Sequence, residues 1–533
     1  MRFYLVFCLA FCFLIKVSGQ QLPIENKVLI ESVKYSETIT AEDLKSYLTV
    51  LASDDFQGRE TGTPGNEMAA NFLAEKLKSF GVAPIPGTDT YFQNVAFTRM
   101  KWNNLSFEMN GREIQHKRDY VMVPSFNPNE DINLSTDEVV FLGYGIDDKM
   151  YSDYKGQQVA GKVILIYAGE PKDKEGNYRT TGTKEVSAWT DSYQKKLEAA
   201  QKAGVKAVII IEDQIREKAG RYRGELIGGT TLMGGPEDFG SDWPANMWLS
   251  PTIAKELLGP KMKKVIKARK KITKKGKSKS VPVETQIQLQ SSKIVTSMPG
   301  VNVLAYIEGS DSLMKDEVVV ISAHYDHVGM RGQDIFNGAD DNGSGTSGVL
   351  EIAQAFQAAK DKGVGPKRSI LCLFVTGEEK GLLGSDYYSQ HPVFPLEKTV
   401  ADINIDMIGR IDDKHDHENY IYVIGSDRLS SELHRINEVS NEKFTQLELD
   451  YTYNAEDDPN RFYYRSDHYN FAKNGIPSIF FFSGTHADYH RPTDTIDKIL
   501  FGKAAKITKL AFFNAWELAN RRERIKVDVK PKT

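Results

Sequence analysis

The stretch SILCLFVTGEEKGLLGS, residues 369–385, decides how this chain is read. Ser369 to Val375 is an apolar run of strand length. It stops at Thr376-Gly377, and two glutamates, Glu378 and Glu379, stand where a glycine-studded segment begins. Taken alone, such a pair is two charges on a solvated loop. Its neighbours change that. From about residue 300 onward, strands (Glu317 to Ala323, Ser369 to Val375, Val400 to Ile408, Tyr420 to Ile424, Ile476 to Phe482) alternate with helices. One helix carries Val349, Leu350, Ile352, Ala353 and Phe356, and another runs from about 502 to 521. The alternation predicts an α/β domain with a mostly parallel sheet flanked by helices. In such sheets, sites form where the strands end.

Composition bounds the rest. The chain has 533 residues, 40% hydrophobic and 26% charged, and a formal net charge of -4. It is long enough for two to four domains and large cores, and it lacks the global basic charge of a nucleic-acid binder. MRFYLVFCLAFCFLIKVSGQQ reads as a signal peptide over residues 1–19, with Arg2 before an apolar run and Val17-Ser18-Gly19 as the cleavage region. That run is too short to span a bilayer. Cys8 and Cys12 each follow a phenylalanine, which argues against lipidation. Cleavage brings the net charge to about -6 and leaves Cys372 as the sole thiol, a buried structural one. An exported chain without disulfides suits a bacterial periplasm or secretion from a bacterium.

Ahead of the last domain, Thr40-Ala41-Glu42-Asp43 signals a helix start, and Asn66 to Phe80 is helical. The loop DDFQGRETGTPG lies between them, and strands follow from about 90 to 135. Residues 136–290 have another character. EVVFLGYG, GKVILIYAG and VKAVIIIED are short apolar strands, and Leu197 to Gly204 is a helix with a glycine cap. The segment closes on lysine-dense residues 261–279, read as a solvated helix and linker rather than a nucleic-acid patch.

Nine of the ten histidines lie after residue 323. There, strands run out into Ser322-Ala323-His324-Tyr325-Asp326-His327, Gly377-Glu378-Glu379, Asn404-Ile405-Asp406-Met407 and the loop His486-Ala487-Asp488-Tyr489-His490. A fifth motif, Asn337-Gly338-Ala339-Asp340-Asp341-Asn342-Gly343-Ser344-Gly345, precedes a helix. Any one alone is a helix cap or a surface loop. Five on one sheet edge make a site.

In this order, SAHYDH, NGADDNGSG, TGEEKGLLGS, NIDMIG and DYHRPTDT resemble the M28 family of di-zinc aminopeptidases over about residues 295–520. LASDDFQGRETGTPGNEMAANFLAEKL resembles that family's N-terminal lead-in, and residues 136–290 resemble an inserted, mainly-β protease-associated (PA) domain. The resemblance implies a peptidase domain over 20–135 and 291–533, interrupted by that insert.

It also implies two Zn²⁺ per chain. His324 and Asp406 would ligate one, Glu379 and His490 the other, and Asp341 would bridge them, with a cis peptide after it. Asp326 would hold the His324 ring, and Glu378 would be the general base. His327 stays outside this ligand set, and Asp340 is a loop residue or one that supports the ligands from behind. Asp494 would orient His490. Tyr464, Ser466 and His468 would lie near the substrate pocket or just outside the metals.

The residue types suit that chemistry in their own right. Zinc takes imidazole nitrogen and carboxylate oxygen, and paired zincs form a clamp for hydrolysis. Three carboxylates and one hydroxide balance two Zn²⁺, which suits a partly buried site. Glu378 is then free to take a proton from the attacking water and pass it to the leaving amine.

The expected function is an exported exopeptidase, an aminopeptidase acting on peptides, with neither nucleic acid nor stable membrane insertion. The alternatives are a carboxypeptidase or dipeptidase of the same family, a glutaminyl cyclase, or a non-catalytic binding protein. The full ligand set and Glu378 argue against the last two.

Overall fold

The computed structural model describes residues 26–239 and 243–530, so the expected signal peptide, with Cys8 and Cys12, lies outside the described residues. No helix among the described residues is long and apolar enough to cross a membrane.

The centre of the last domain is a row of four parallel strands. In spatial order they are Ser478–Phe482, Thr399–Ile405, Val318–His324 and Ser369–Val375. Antiparallel neighbours flank the row, Tyr420–Ile424 on one side and the end of Val281–Ile307 on the other. The sheet is therefore mixed with a parallel core, as the alternation of elements predicts.

Strand alternation splits each side chain set between two faces. Val319, Ile321 and Ala323 pack with Cys372 and Phe374 under the helices Gly345–Asp361 and Phe501–Asn520. Val318 and Val320 face the other way, against Leu371, Leu373, Tyr388 and Phe471. Burial on both faces explains why these strands read as unbroken apolar runs. Cys372 is a free thiol sealed in this core, and burial pushes it up to about 12.

The N-terminal lead-in covers the same core. Thr40 caps the helix Ala41–Leu51 by accepting the Asp43 amide, and Thr63 caps Pro64–Ser79 by accepting the Asn66 amide. Leu44, Leu51, Leu73 and Leu77 enter the helix layer.

Two long antiparallel strands, Phe92–Met109 and Val281–Ile307, carry the same continuous sheet on beyond this core. Phe107, Met109, Ile114, Tyr120, Met122 and Leu134 pack with Val163, Ile209 and Leu289 in a separate core. The unit that packs away from the first core is thus wider than residues 136–290, because residues from about 105 onward already belong to it.

Helices join its strands as well, so it is a mixed α/β unit where the sequence suggested mainly β. Ile132–Phe141, Val163–Tyr167, Ala207–Ile211 and Ala245–Leu249 form a parallel row, with Gln194–Lys202 as one crossover. The lysine-dense stretch forms the helix Met262–Lys275. It buries Val265, Ala268 and Ile272 on one face and ends at Gly276 in the left-handed region (φ 62°). Its lysines line the remaining faces, as an amphipathic surface helix requires.

Candidate metal centre

Parallel direction puts the ends of all four central strands on one edge. Register then sets the neighbours. Ser322 pairs with Asn404, so His324 and Asp406, each two residues further on, come side by side. His324 Nε2 lies 3.4 Å from Asp406 Oδ1. His324 itself pairs with Val375, three residues before Glu378. Asp341 arrives from the segment Ala339–Ser344, which leads into the helix Gly345–Asp361 and contains a cis peptide between Asp341 and Asn342. The Asn342 side chain fastens that segment to a strand end, donating to the Ile405 carbonyl (2.9 Å) and accepting from the Met407 amide (3.2 Å).

Two donor groups result among the described residues: His327, Asp341, Glu379 and His490 in one, and His324, Glu378 and Asp406 in the other. Asp341 faces both. Its Oδ1 lies 3.5 Å from His324 Nε2, and its Oδ2 lies 3.0 Å from His490 Nε2. Glu379 Oε1 lies 3.1 Å from His490 Nε2. Glu378 Oε2 is 3.9 Å from His324 Nε2, the longest of these contacts, which leaves that carboxyl at the margin of its group.

Several of these atoms are close yet not aligned. Asp341 Oδ2, Glu379 Oε1, Asp406 Oδ1, His327 Nδ1 and His490 Nε2 are buried and make no well-directed hydrogen bond among the described residues. Buried polar atoms normally find a partner. Donor atoms that crowd together without bonding one another, from imidazoles and carboxylates, fit a bound divalent cation in each group.

The supporting residues are as specific. The Asp326 carboxylate accepts the Thr61 hydroxyl (2.8 Å) and the backbone amides of Glu378 (3.2 Å) and Glu379 (3.4 Å). It therefore fixes the glutamate turn. His324 Nδ1 lies 3.1 Å from the Asp326 carbonyl oxygen and 3.8 Å from its carboxylate, so main chain rather than side chain sits nearest the ring.

Ser466 donates to Asp406 Oδ2 (2.8 Å) and accepts from Asn404 (2.8 Å). Asp494 accepts the amides of Asp340 and Asp341, the latter at 3.2 Å, and so steadies the Asp341 segment rather than His490. Asp340 lies 3.3 Å from His486. His468 is buried against Phe480 with ring centroids 4.8 Å apart, and burial pushes its imidazole down to about 3. Tyr464 stands away from both groups, half-exposed beside Tyr469 and under Arg461.

Electrostatics separates the adjacent glutamates. Burial raises the Glu378 carboxyl well above its usual range, helped by Glu379, Asp467 and Asp406 and opposed by His324. For Glu379 burial acts in the same direction, but the imidazoles of His327 and His490 outweigh it and hold the group well below that range. His324 moves upward. Burial opposes this, and the carboxylates of Glu378, Asp406 and Asp341 prevail.

Two residues escaped the sequence reading. His327 reaches the Glu379 group, with Nδ1 3.0 Å from Glu379 Oε1. Arg59 is buried at 1% exposure and donates to the carbonyls of Tyr325, Leu51, Asn337 and Gly338. It locks the lead-in to both the His324 and Asp341 loops. An arginine inside a glycine-rich loop was the only available signal. The insert reaches the rim as well. Arg99 donates to the Gly228 carbonyl (2.9 Å) and lies 3.5 Å from Glu60, which accepts from Lys380 beside Glu379.

Fold and donor set together define a metal-binding α/β protein of the parallel-centred type, with two cation positions above the strand ends. Residues 302–513 match the model of Peptidase family M28. The chain is 32% identical over 211 residues to a probable leucine aminopeptidase of Trichophyton verrucosum, covering 38% of this chain and 55% of that protein. It is 28% identical over 250 residues to aminopeptidase YwaD of Bacillus subtilis, covering 45% of this chain and 50% of the relative. The chain thus spans about half the length of the curated relatives it matches. The solved aminopeptidase from Aneurinibacillus sp. strain AM-1 superposes with a TM-score of 0.54 at 17% identity, over 94% of this chain and 98% of that one, which shows a shared fold.

Proposed function

We propose that the chain is an exported, two-zinc aminopeptidase that removes N-terminal residues from peptides. The observation that carries this reading is Asp341, which presents one carboxylate oxygen to each donor group while Glu378 is left at the margin. His324 and Asp406 would hold one ion, Glu379 and His490 the other, with Asp341 between. When bound, the ions polarise the scissile carbonyl and make water a nucleophile near neutral pH.

The protein does the remainder. Glu378, its carboxyl raised by burial and by the neighbouring acids, is suited to hold a proton and hand it to the leaving amine. The Asp326 carboxylate keeps the backbone of Glu378 and Glu379 in place, so the two side chains serve different ends. Beside the donors, a cleft is lined by Met407, Phe462, Phe480, Phe482 and Tyr489, an apolar cup for a substrate side chain. Carboxylates around the cleft would attract a free α-amine, which favours cleavage from the N-terminus.

Arg465 also lines the cleft and favours a second reading, a carboxypeptidase or dipeptidase that pairs this cation with a C-terminal carboxylate. A panel of peptides with free or blocked ends, run on wild type and Glu378→Gln, separates the two. The aminopeptidase reading expects turnover to vanish on N-terminal blocking and to survive C-terminal amidation. It also expects Glu378→Gln to keep its zinc and to lose about 10²–10⁴ in rate. Full activity in that variant would refute the base assignment.

A further inference from the structure

The donor edges of the Glu379 group point to one more ligand. His327 Nδ1 lies 3.0 Å from Glu379 Oε1 and 3.6 Å from Asp341 Oδ2. His490 Nε2 lies 3.0 Å from that same Asp341 oxygen and 3.1 Å from that same Glu379 oxygen. Four donors placed tetrahedrally about 2.0–2.1 Å from a zinc ion are separated by about 3.3–3.4 Å. The four edges, 3.0–3.6 Å, bracket that value.

The ring of His327 is held in this position from behind. It is fully buried, and Gly338 lies against it in the left-handed region (φ 57°). A Cβ on Gly338 would come within 2.5 Å of His327 Cγ and Cδ2, so only glycine leaves room for the ring there. The His490 ring stands edge-on to it, 5.6 Å between centroids. Among the described residues, neither nitrogen of His327 makes a well-directed hydrogen bond. A buried imidazole left in that state is costly, and a cation on Nδ1 removes part of the cost.

We propose that His327 ligates, through Nδ1, the ion shared by Asp341, Glu379 and His490. This rests on the two-metal reading above and goes beyond it, because the two positions become unequal. One has four protein donors, the closed set of a structural zinc. The other, with His324, Asp406 and the second oxygen of Asp341, has three and keeps an open place. Glu378 borders the open position, 3.9 Å from His324 Nε2. The closed position should hold its ion more tightly, and water and substrate should enter at the open one.

The test uses the full chain loaded with zinc. X-ray absorption counts imidazole ligands, metal analysis gives zinc per chain, and titration with a chelator reads the release of each ion. The proposal expects two zincs and three imidazoles per zinc pair in wild type, and two-step release. His327→Ala should lower the imidazole count to two per pair and weaken the tight step roughly 100-fold or more, beyond the 10–100-fold of a mere outer partner. Two zincs with only two imidazoles in wild type would overturn the role of His327 and leave the two-metal reading standing. Fewer than two zincs in wild type would refute the two-metal reading, and the proposal with it. Should His327→Ala fail to fold, the wild-type imidazole count decides alone.

Discussion

Arg59 offers the sharpest test of how the lead-in supports the centre. Its guanidinium is buried among four carbonyl oxygens: Tyr325 (2.8 Å), Leu51, Asn337 (2.7 Å) and Gly338 (2.9 Å). Burial lowers its pKa to about 10, while Asp341, Asp494, Asp326 and Glu379 pull the other way. The group stays charged at neutral pH. Arg59→Met keeps the bulk and removes every donor. Each buried acceptor stripped of its partner costs about 1–3 kcal/mol. Gly338 O also accepts the Gly343 amide, so the low end applies, about 4 kcal/mol over the four.

That is a large fraction of the stability of an ordinary domain. It should appear as local opening of the His324 and Asp341 loops rather than as loss of the whole fold. Hydrogen exchange read by mass spectrometry over residues 325–330 and 337–345 is the assay. A cost of about 4 kcal/mol corresponds to nearly three orders of magnitude in protection. Arg59→Lys keeps the charge but has three donors on one nitrogen, so it should fall between wild type and Met. Protection within tenfold of wild type in Arg59→Met would refute the argument.

Two further outcomes follow from buried carboxylates. Glu351 is 1% exposed and accepts the Thr40 amide at 2.9 Å, and burial raises it from 4.5 to about 7, with a contribution from Asp43. The fold therefore prefers the neutral acid. No penalty exists below the unfolded value, it grows as pH rises through the interval, and above about 7 it reaches about 3 kcal/mol. Glu351→Gln should match wild type in thermal stability near pH 4.5 and exceed it at pH 8, and a pH-independent difference would contradict this. Ser466→Ala removes the hydroxyl that donates to Asp406 at 2.8 Å. Chelator competition should show a 10–100-fold weaker ion at the His324 position alone, and equal weakening at both positions would count against it.

Much of the fold can be read from periodicity, and the reasons are local. Ser369–Val375 and Tyr420–Ile424 have the bounds their apolar runs suggest, because every residue in them is buried, on both faces of the sheet. Parallel order then brings His324, Glu379 and Asp406 to one edge without any need to know the loops. What stayed hidden depends on loops. His327 lies beyond its strand, where the period of two no longer says which way a side chain points. Arg59 makes three of its bonds to carbonyls some 270 residues away, and a carbonyl has no sequence signature. The border of the insert was obscure for a different reason. Phe92–Met109 and Val281–Ile307 pass through both cores, so composition shows no seam there.

That pair of strands has a mechanical meaning. At about 3.4 Å per residue, Phe92–Met109 alone is a beam about 60 Å long, hydrogen-bonded along its length to its partner and broken in register only between Trp102 and Asn104. A domain mounted on such a beam cannot swing as it would on a peptide tether. Its available motion is torsion about the strand axis, concentrated at that one irregularity. The rim segment after Gly228 lies on the near side of that irregularity, because Thr230–Met233 pairs with Phe97–Met100 and Arg99 holds the Gly228 carbonyl, so it stays anchored beside the cleft while the far half of the beam twists.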